Sequence, residues 1–298
     1  MKSKMKYKLP KIYINIGFPK TIFKYKDLEF DGIGLFRVEF MLATFVGQHP
    51  AWLIDTGKSE VYYEKLLEGI GMVAREIYPR PMVVRFSDFK TNEYHDLLGG
   101  SEYELPENNP MMGLRGASRF ISDKFNKIFR LECQSILKLR KKYDNIWVMI
   151  PFIRTVHEAQ KCLDIMKEEG LERSETFKIW LMAETPAMAL LIDEFNKLEF
   201  DGYSIGSNDL CQFVLAVDRD NSELSNMGYF DERNPAVLKA IKMIVEGAHS
   251  AGKTCSICGE AVSRYTDFLE KLITLNIDSI SVTPSSIPNI REFLKKYR

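Results

Sequence analysis

Short apolar segments recur along this chain, and each hands over to a stretch with helical periodicity. KIYINI (11–16), GIGLFR (32–37), PMVVRF (81–86), NIWVMIPF (145–152) and KIWLMA (178–183) are five of them. The sixth runs from Asp201-Gly202 through Tyr203, Ser204 and Ile205 into Gly206, and TCSIC (254–258) and SISVT (279–283) complete the set. Apolar residues at helical spacing lie between them: a short helix within 18–30, amphipathic stretches in 45–77, and a run ending at Arg140. Further helices are expected over 155–169, 187–198, 236–252, 265–275 and 288–297, with Thr155 as an N-cap. Strands that are apolar on both faces belong to a parallel sheet covered by helices. Eight such units predict an α/β fold, a (β/α)8 TIM barrel, with residues 1–298 as a single domain. The polar excursion 87–110 is too long for a routine connection, and is a candidate functional loop suited to closing over a substrate.

Composition narrows the function. Lys plus Arg and Asp plus Glu both number 41 in 298 residues, which argues against a nucleic-acid partner or an acidic membrane surface. The basic N-terminus, MKSKMKYKLPKIYINIGF, has too interrupted an apolar run for a signal peptide, and no segment reaches a membrane-spanning length. A soluble, cytoplasmic protein is expected. Five cysteines in so long a chain are no disulfide framework. Cys133 and Cys162 fall in helical patterns and read as buried. Cys255 and Cys258 form a C-x-x-C without a second ligand pair for zinc, and on a strand only one of the two can face a site. GIGLFR lacks the lysine and spacing of a Walker loop, so the chain has no means of its own to use ATP.

Polar residues cluster where the strands end. Arg37 follows the second strand, Arg85 and later Arg115 the third, and Glu184 the fifth. Ser207, Asn208, Asp209 and Arg219 follow the sixth, Cys258 and Glu260 the seventh, and Thr283 the eighth. Each has a bland alternative: Asn208 or Asp209 as a helix cap, Arg37 and Arg85 paired with Glu39 and Asp88, Glu184 capping the helix at Pro186. Barrel enzymes, however, assemble their sites at the C-terminal ends of several strands. Glu184 and Asp209 suit one Mg2+, the arginines suit a carboxylate plus a phosphoryl group, and Cys258 suits acid/base chemistry at carbon. A metal, a phosphate clamp and a proton donor to carbon point to enolate–phosphate chemistry of the pyruvate and phosphoenolpyruvate (PEP) kind.

GIGLFRVEF, NPMMGLRGASR, VMIPFIRT, DGYSIGSNDL followed by VDRD, and ICGEA closely resemble the C-terminal domain of the PEP-utilising phosphotransferases. SDFKTNEYHDLLGG and FDER (230–233) resemble the PEP synthase branch (pyruvate, water dikinase). The resemblance implies a PEP/pyruvate-binding barrel acting in phosphoryl transfer between a phosphohistidine and pyruvate. It implies that Arg37, Arg85, Arg115 and Arg219 bind PEP, that Arg37 and Arg85 also serve catalysis, and that Glu184 and Asp209 hold Mg2+. Asn208, Asp209 and the Ser207 backbone would touch the substrate, and Cys258 would exchange a proton with the methyl or methylene carbon. It further implies a homodimer and a phosphohistidine domain, in cis or in trans. Neither that domain nor an ATP-grasp domain is recognisable here, and His157 in TVHEA reads as a helix-surface residue. Two alternatives remain: a pyruvate-enolate lyase or aldolase on a related barrel, and a non-catalytic PEP-binding or dimerisation module.

Overall fold

A computed structural model describes residues 8–297, so Arg298 and the first seven residues of the basic N-terminal stretch lie outside the described residues. Eight parallel strands close into a barrel in sequence order: β1 (Lys11–Ile16), β2 (Gly32–Arg37), β3 (Met82–Arg85), β4 (Ile146–Ile150), β5 (Ile179–Ala183), β6 (Gly202–Gly206), β7 (Thr254–Cys258) and β8 (Ser279–Val282). The outer layer includes α1 (Ser59–Ile77), α2 (Asn126–Arg140), α3 (Val156–Glu168), α4 (Ser207–Leu215), α5 (Pro235–Ser250), α6 (Thr266–Thr274) and α7 (Ile287–Leu294). Among the described residues no helix is long and apolar enough to cross a membrane.

The two-residue period of a strand sorts side chains into two cores. Met82 and Val84, Ile179 and Leu181, Tyr203 and Ile205, and Cys255 and Ile257 point outward and pack beneath the helices. Tyr13, Leu35, Val83, Met149, Trp180, Met182 and Cys258 fill the barrel interior. Cys255 and Cys258 thus belong to opposite faces of β7, as their spacing predicts. The same alternation carries Arg37, Arg85 and Glu184 to the upper end of the inner rows.

Local chemistry sets the helix starts. Thr155 Oγ1 accepts the Glu158 N–H at 3.1 Å while Glu158 Oε2 accepts the Thr155 N–H at 3.2 Å, a capping box that opens α3 and leaves His157 exposed on its surface. Asn234 caps α5 with its side-chain oxygen, which accepts the Ala236 N–H at 2.9 Å, and Pro235 stands at the first position. The helix expected over 187–198 is instead two short turns, Pro186–Leu190 and Ile192–Phe195. They divide where Leu191 leaves helical geometry at φ −113° and ψ 25°. The break lets Ile192 and Phe195 turn into the core beside α5. The excursion after β3 contains a helix, Thr91–His95, and a 3-10 turn, Gly100–Glu102. Its far part is anchored: buried Glu104 lies 2.8 Å from His49 Nε2 and accepts from Arg119, while Glu107 accepts from Thr91 Oγ1 and the Leu114 N–H.

Candidate active site

The C-terminal ends of the strands enclose a cavity of about 720 Å³ whose wall includes Arg37, Arg85, Arg115, Glu184, Ser207, Asn208, Asp209, Arg219 and Cys258. Every residue given a substrate, metal or proton-transfer role in the sequence reading lines this one space. Glu260 reaches its rim, whereas Thr283 lies outside the wall. Asp88, Phe89, Lys90 and Glu93, from the first part of the excursion, form one side of the cavity.

The arginines are held in different ways. Arg115 donates to both oxygens of Asp88, at 3.1 and 2.7 Å, and to Asp209 Oδ2 at 2.9 Å, with its guanidinium 4.0 Å from the centre of the Phe152 ring. Arg219 donates to the other Asp209 oxygen at 2.7 Å. Arg85 is bonded to Glu39, lies 3.8 Å from Asp88 and donates to Met182 Sδ at 3.5 Å, yet its buried Nε has no partner, nor has Glu39 Oε2. Burial opposes the charge on Arg85, but Glu39 and Asp88 outweigh it and hold the guanidinium protonated. Arg37 forms no ion pair among the described residues, and Glu39, the alternative partner weighed for it above, pairs with Arg85 instead. Burial, and then the nearby Arg85, lower its pKa. This leaves a cation facing the cavity with no protein anion bound to it.

The carboxylates form the complementary cluster. Oxygens of Asp88, Glu184 and Asp209, all buried, lie within 4.8 Å of one another. Glu184 accepts the Phe152 N–H at 2.7 Å from a backbone with φ of 42°. It is thus held by the preceding strand's loop and does not cap the helix at Pro186. Burial, and then Asp209 and Asp88, push its pKa up to about 8. A carboxylate held against burial and two like charges is suited to a hard divalent cation, which takes oxygen ligands and relieves the repulsion. The room for Glu184 comes from Gly206: a Cβ there would meet Glu184 Oε2 at 2.5 Å and Met182 Cε at 2.9 Å.

Asn208 and Asp209 stand in the first turn of α4 but cap nothing. Asn208 Oδ1 accepts the Glu260 N–H at 3.3 Å, and Asp209 is taken by the two arginines. Cys258 lies on the floor beside Leu35 and Met182, with Sγ 3.9 Å from Ser204 Oγ. Burial pushes its thiol up to about 11, and the nearby Arg37 opposes that rise. The group is a protonated thiol at neutral pH, with a cation at hand for the thiolate.

Sequence reading missed the part played by Asp88, which it weighed only as a partner for Arg85. Its place three residues beyond a strand-end arginine was the available signal. It also missed Met182, whose sulfur meets Arg85 across 97 residues, and Glu232, which lines the cavity.

The model of the family described as PEP-utilising enzyme, PEP-binding domain, matches residues 2–298. A probable phosphoenolpyruvate synthase from Staphylothermus marinus is 56% identical over 93% of this chain and 33% of its own length. The phosphoenolpyruvate synthase of Aeropyrum pernix is 52% identical over 94% of this chain and 34% of its own length. That of Escherichia coli is 38% identical over 93% and 37%. The chain therefore spans about a third of the length of the curated relatives it matches. Among solved structures, a citrate lyase from Burkholderia xenovorans superposes with a TM-score of 0.58 at 16% identity, over 97% of this chain and 78% of that one. An aldolase/citrate lyase family protein from Burkholderia cenocepacia gives 0.52 at 10% identity, over 96% and 94%. Those two likenesses are of fold alone. The match along nearly the whole sequence settles the family: this chain belongs to the PEP-binding domain family of the PEP-utilising enzymes.

Proposed function

We propose that this chain carries the Mg2+-dependent exchange of a phosphoryl group between a phosphohistidine and pyruvate, as the PEP-binding part of a phosphoenolpyruvate synthase. One observation carries the reading: four arginines, three clustered buried carboxylates and a thiol line one cavity at the C-terminal face of the barrel. Relatives named phosphoenolpyruvate synthase at 52–56% identity support it. The phosphohistidine would come from a separate domain in cis or in trans, and the reading carries with it a cytoplasmic homodimer.

Asp88, Glu184 and Asp209 would hold the cation, which supplies Lewis-acid stabilisation of enolate and phosphoryl oxygens. Arg115 and Arg219 are now bonded to Asp209. With Asp209 engaged by a cation, Arg115 and Arg219 would be free to donate to the anionic substrate instead. Arg37 and the partnerless Nε of Arg85 offer further positive charge without breaking a bond. When PEP is consumed, the P–O bond breaks, the phosphoryl group leaves for histidine nitrogen, and C3 of the enolate takes the proton of the Cys258 thiol. The thiolate left behind is stabilised by Arg37. In the synthetic direction the thiolate removes that proton. The apolar floor of Leu35 and Met182 suits a methyl or methylene carbon. A lyase needs no such array of phosphate-binding arginines, which places that reading second.

Calorimetric titration of PEP and of oxalate, an enolate mimic, with and without Mg2+ tests the proposal. Binding should require Mg2+ and disappear in Glu184→Ala and Asp209→Ala. Absence of binding to a folded sample would leave the non-catalytic module in first place.

A further inference from the structure

The turn that carries the chain out of β7 is clamped by the start of α4 and by Glu232. Ser207 Oγ lies 2.9 Å from the Cys258 carbonyl oxygen and is also hydrogen-bonded to Glu232 Oε1. The second Glu232 oxygen accepts the Ala261 N–H at 3.1 Å, and Asn208 Oδ1 accepts the Glu260 N–H at 3.3 Å. Gly259, between them, has φ of 147°, and a Cβ on it would come within 1.9 Å of Ser207 Oγ. Backbone from residue 258 to 261 is thus gripped at three points by the start of α4 and by Glu232.

Counting hydrogens fixes the state of the glutamate. A serine hydroxyl has one hydrogen, whereas a carbonyl and an ionised carboxylate can only accept. With Glu232 ionised, Ser207 faces two acceptors with a single hydrogen, and a buried oxygen is left against another oxygen. With a proton on Oε1, Glu232 donates to Ser207, Ser207 donates to the Cys258 carbonyl, and Oε2 still accepts from Ala261. Every group is then satisfied. The surroundings agree: Glu232 is 6% exposed, no cationic side chain pairs with it among the described residues, and burial together with Glu260 and Asp231 raises its pKa.

We propose that Glu232 is carried as a neutral carboxylic acid and is a positioning residue for Cys258, acting through the chain Glu232 to Ser207 to the Cys258 carbonyl. The inference rests on the reading above, in which Cys258 exchanges a proton with the substrate carbon. The clamp fixes where the thiol stands above Leu35 and Met182, and a carboxylate at this position would loosen it.

Two measurements on the whole chain test it. Infrared difference spectra of metal-free protein with 13C-labelled glutamate, wild type minus Glu232→Gln, should show a carboxylic-acid C=O band at neutral pH. A carboxylate signature in its place overturns the proposal without any bearing on catalysis. The second is exchange of pyruvate methyl hydrogens into D2O with Mg2+, followed by NMR. Glu232→Ala should slow it about tenfold, and Glu232→Gln, which keeps both a donor and an acceptor, should restore it to within about threefold, with oxalate affinity unchanged in both. Equal losses in the two variants overturn the neutral acid, and an undiminished rate in Glu232→Ala overturns the positioning role. Should Glu232→Ala fail to fold, Ser207→Ala removes only the bridging hydroxyl and should show the same tenfold loss. If the wild type neither exchanges pyruvate nor binds oxalate, it is the proposed function that fails, and the infrared band alone decides the state of Glu232.

Discussion

Carboxylates occur at both ends of this barrel, and the two ends use them in opposite ways. At the N-terminal end Asp31, Asp201 and Asp278 stand just before β2, β6 and β8. Each accepts a backbone N–H from the preceding strand: Ile12 at 2.7 Å, Ile179 at 2.9 Å and Cys255 at 2.9 Å. Each also donates its own N–H to the carbonyl of that same residue, at 2.7, 2.8 and 3.0 Å. The carboxylate closes a two-bond clasp between neighbouring strands. At the other end, Asp88, Glu184 and Asp209 crowd within 4.8 Å of one another, and among the described residues a single backbone donor, the Phe152 N–H, reaches Glu184. Their charge is balanced by Arg85, Arg115 and Arg219. A carboxylate given its own N–H belongs to the fold, whereas a carboxylate left with neighbours of like charge is available to a ligand.

Substituting one member of each set tests that division. Asp209→Ala should show the largest effect, because Asp209 is the carboxylate that both Arg115 and Arg219 share. Mg2+-dependent oxalate affinity should fall by more than about 100-fold in a calorimetric titration, with the fold retained by circular dichroism. Asp278→Ala, at the other end, should lower the unfolding free energy by about 2 kcal/mol in urea, since it removes a charge-assisted bond to Cys255 and the contacts to Lys8 and His249. Its oxalate affinity should not change. Loss of binding in Asp278→Ala would erase the distinction between the two ends.

That distinction was partly legible in the sequence. Near-continuous apolar runs gave all eight strands their places, because burial on both faces leaves a strong local signal. The residues at their C-terminal ends could be named because barrel geometry brings strand ends together whatever the sequence separation. Pairing could not be read. Asp88 and Asp209 share Arg115 across separations of 27 and 94 residues, and Glu39 meets Arg85 across 46. Arg37, two residues from Glu39, has no ion pair among the described residues because β2 and its following turn send the two side chains to different neighbours. Nor could the break at Leu191 be read, since the apolar spacing of 187–198 fits one helix and only the packing of Ile192 and Phe195 into the core beside α5 divides it.

Glu184→Gln sharpens the comparison from the other side. It keeps the shape and an acceptor for the Phe152 N–H while removing the ionisable group whose charged form burial, Asp209 and Asp88 oppose. Metal-free protein should become more stable by about 1 kcal/mol at pH 7, seen as a higher melting temperature, while Mg2+-dependent oxalate binding is lost. A variant that gains nothing would mean that the cluster is already relieved by its arginines.

The smallest effect is in the pH dependence, where the two ends carry opposite signs. Glu184 is raised from an ordinary 4.5 to about 8, so its contribution to stability is fully present below 4.5 and is lost as pH rises through 8. Asp278 is lowered from 3.8: burial raises it, but the Cys255 N–H, Lys8 and His249 outweigh that, so its contribution is present above 3.8 and lost as the pH falls through the folded value. Between pH 5 and 8 the gain from Glu184→Gln should therefore grow with pH, while the deficit of Asp278→Ala stays flat. In acid both differences should shrink toward zero. Urea denaturation of the metal-free proteins at a series of pH values separates the two. A Glu184→Gln gain that is flat across this range would mean that the carboxyl is already ionised and that its arginine neighbours, rather than a bound proton, balance the cluster before any cation arrives.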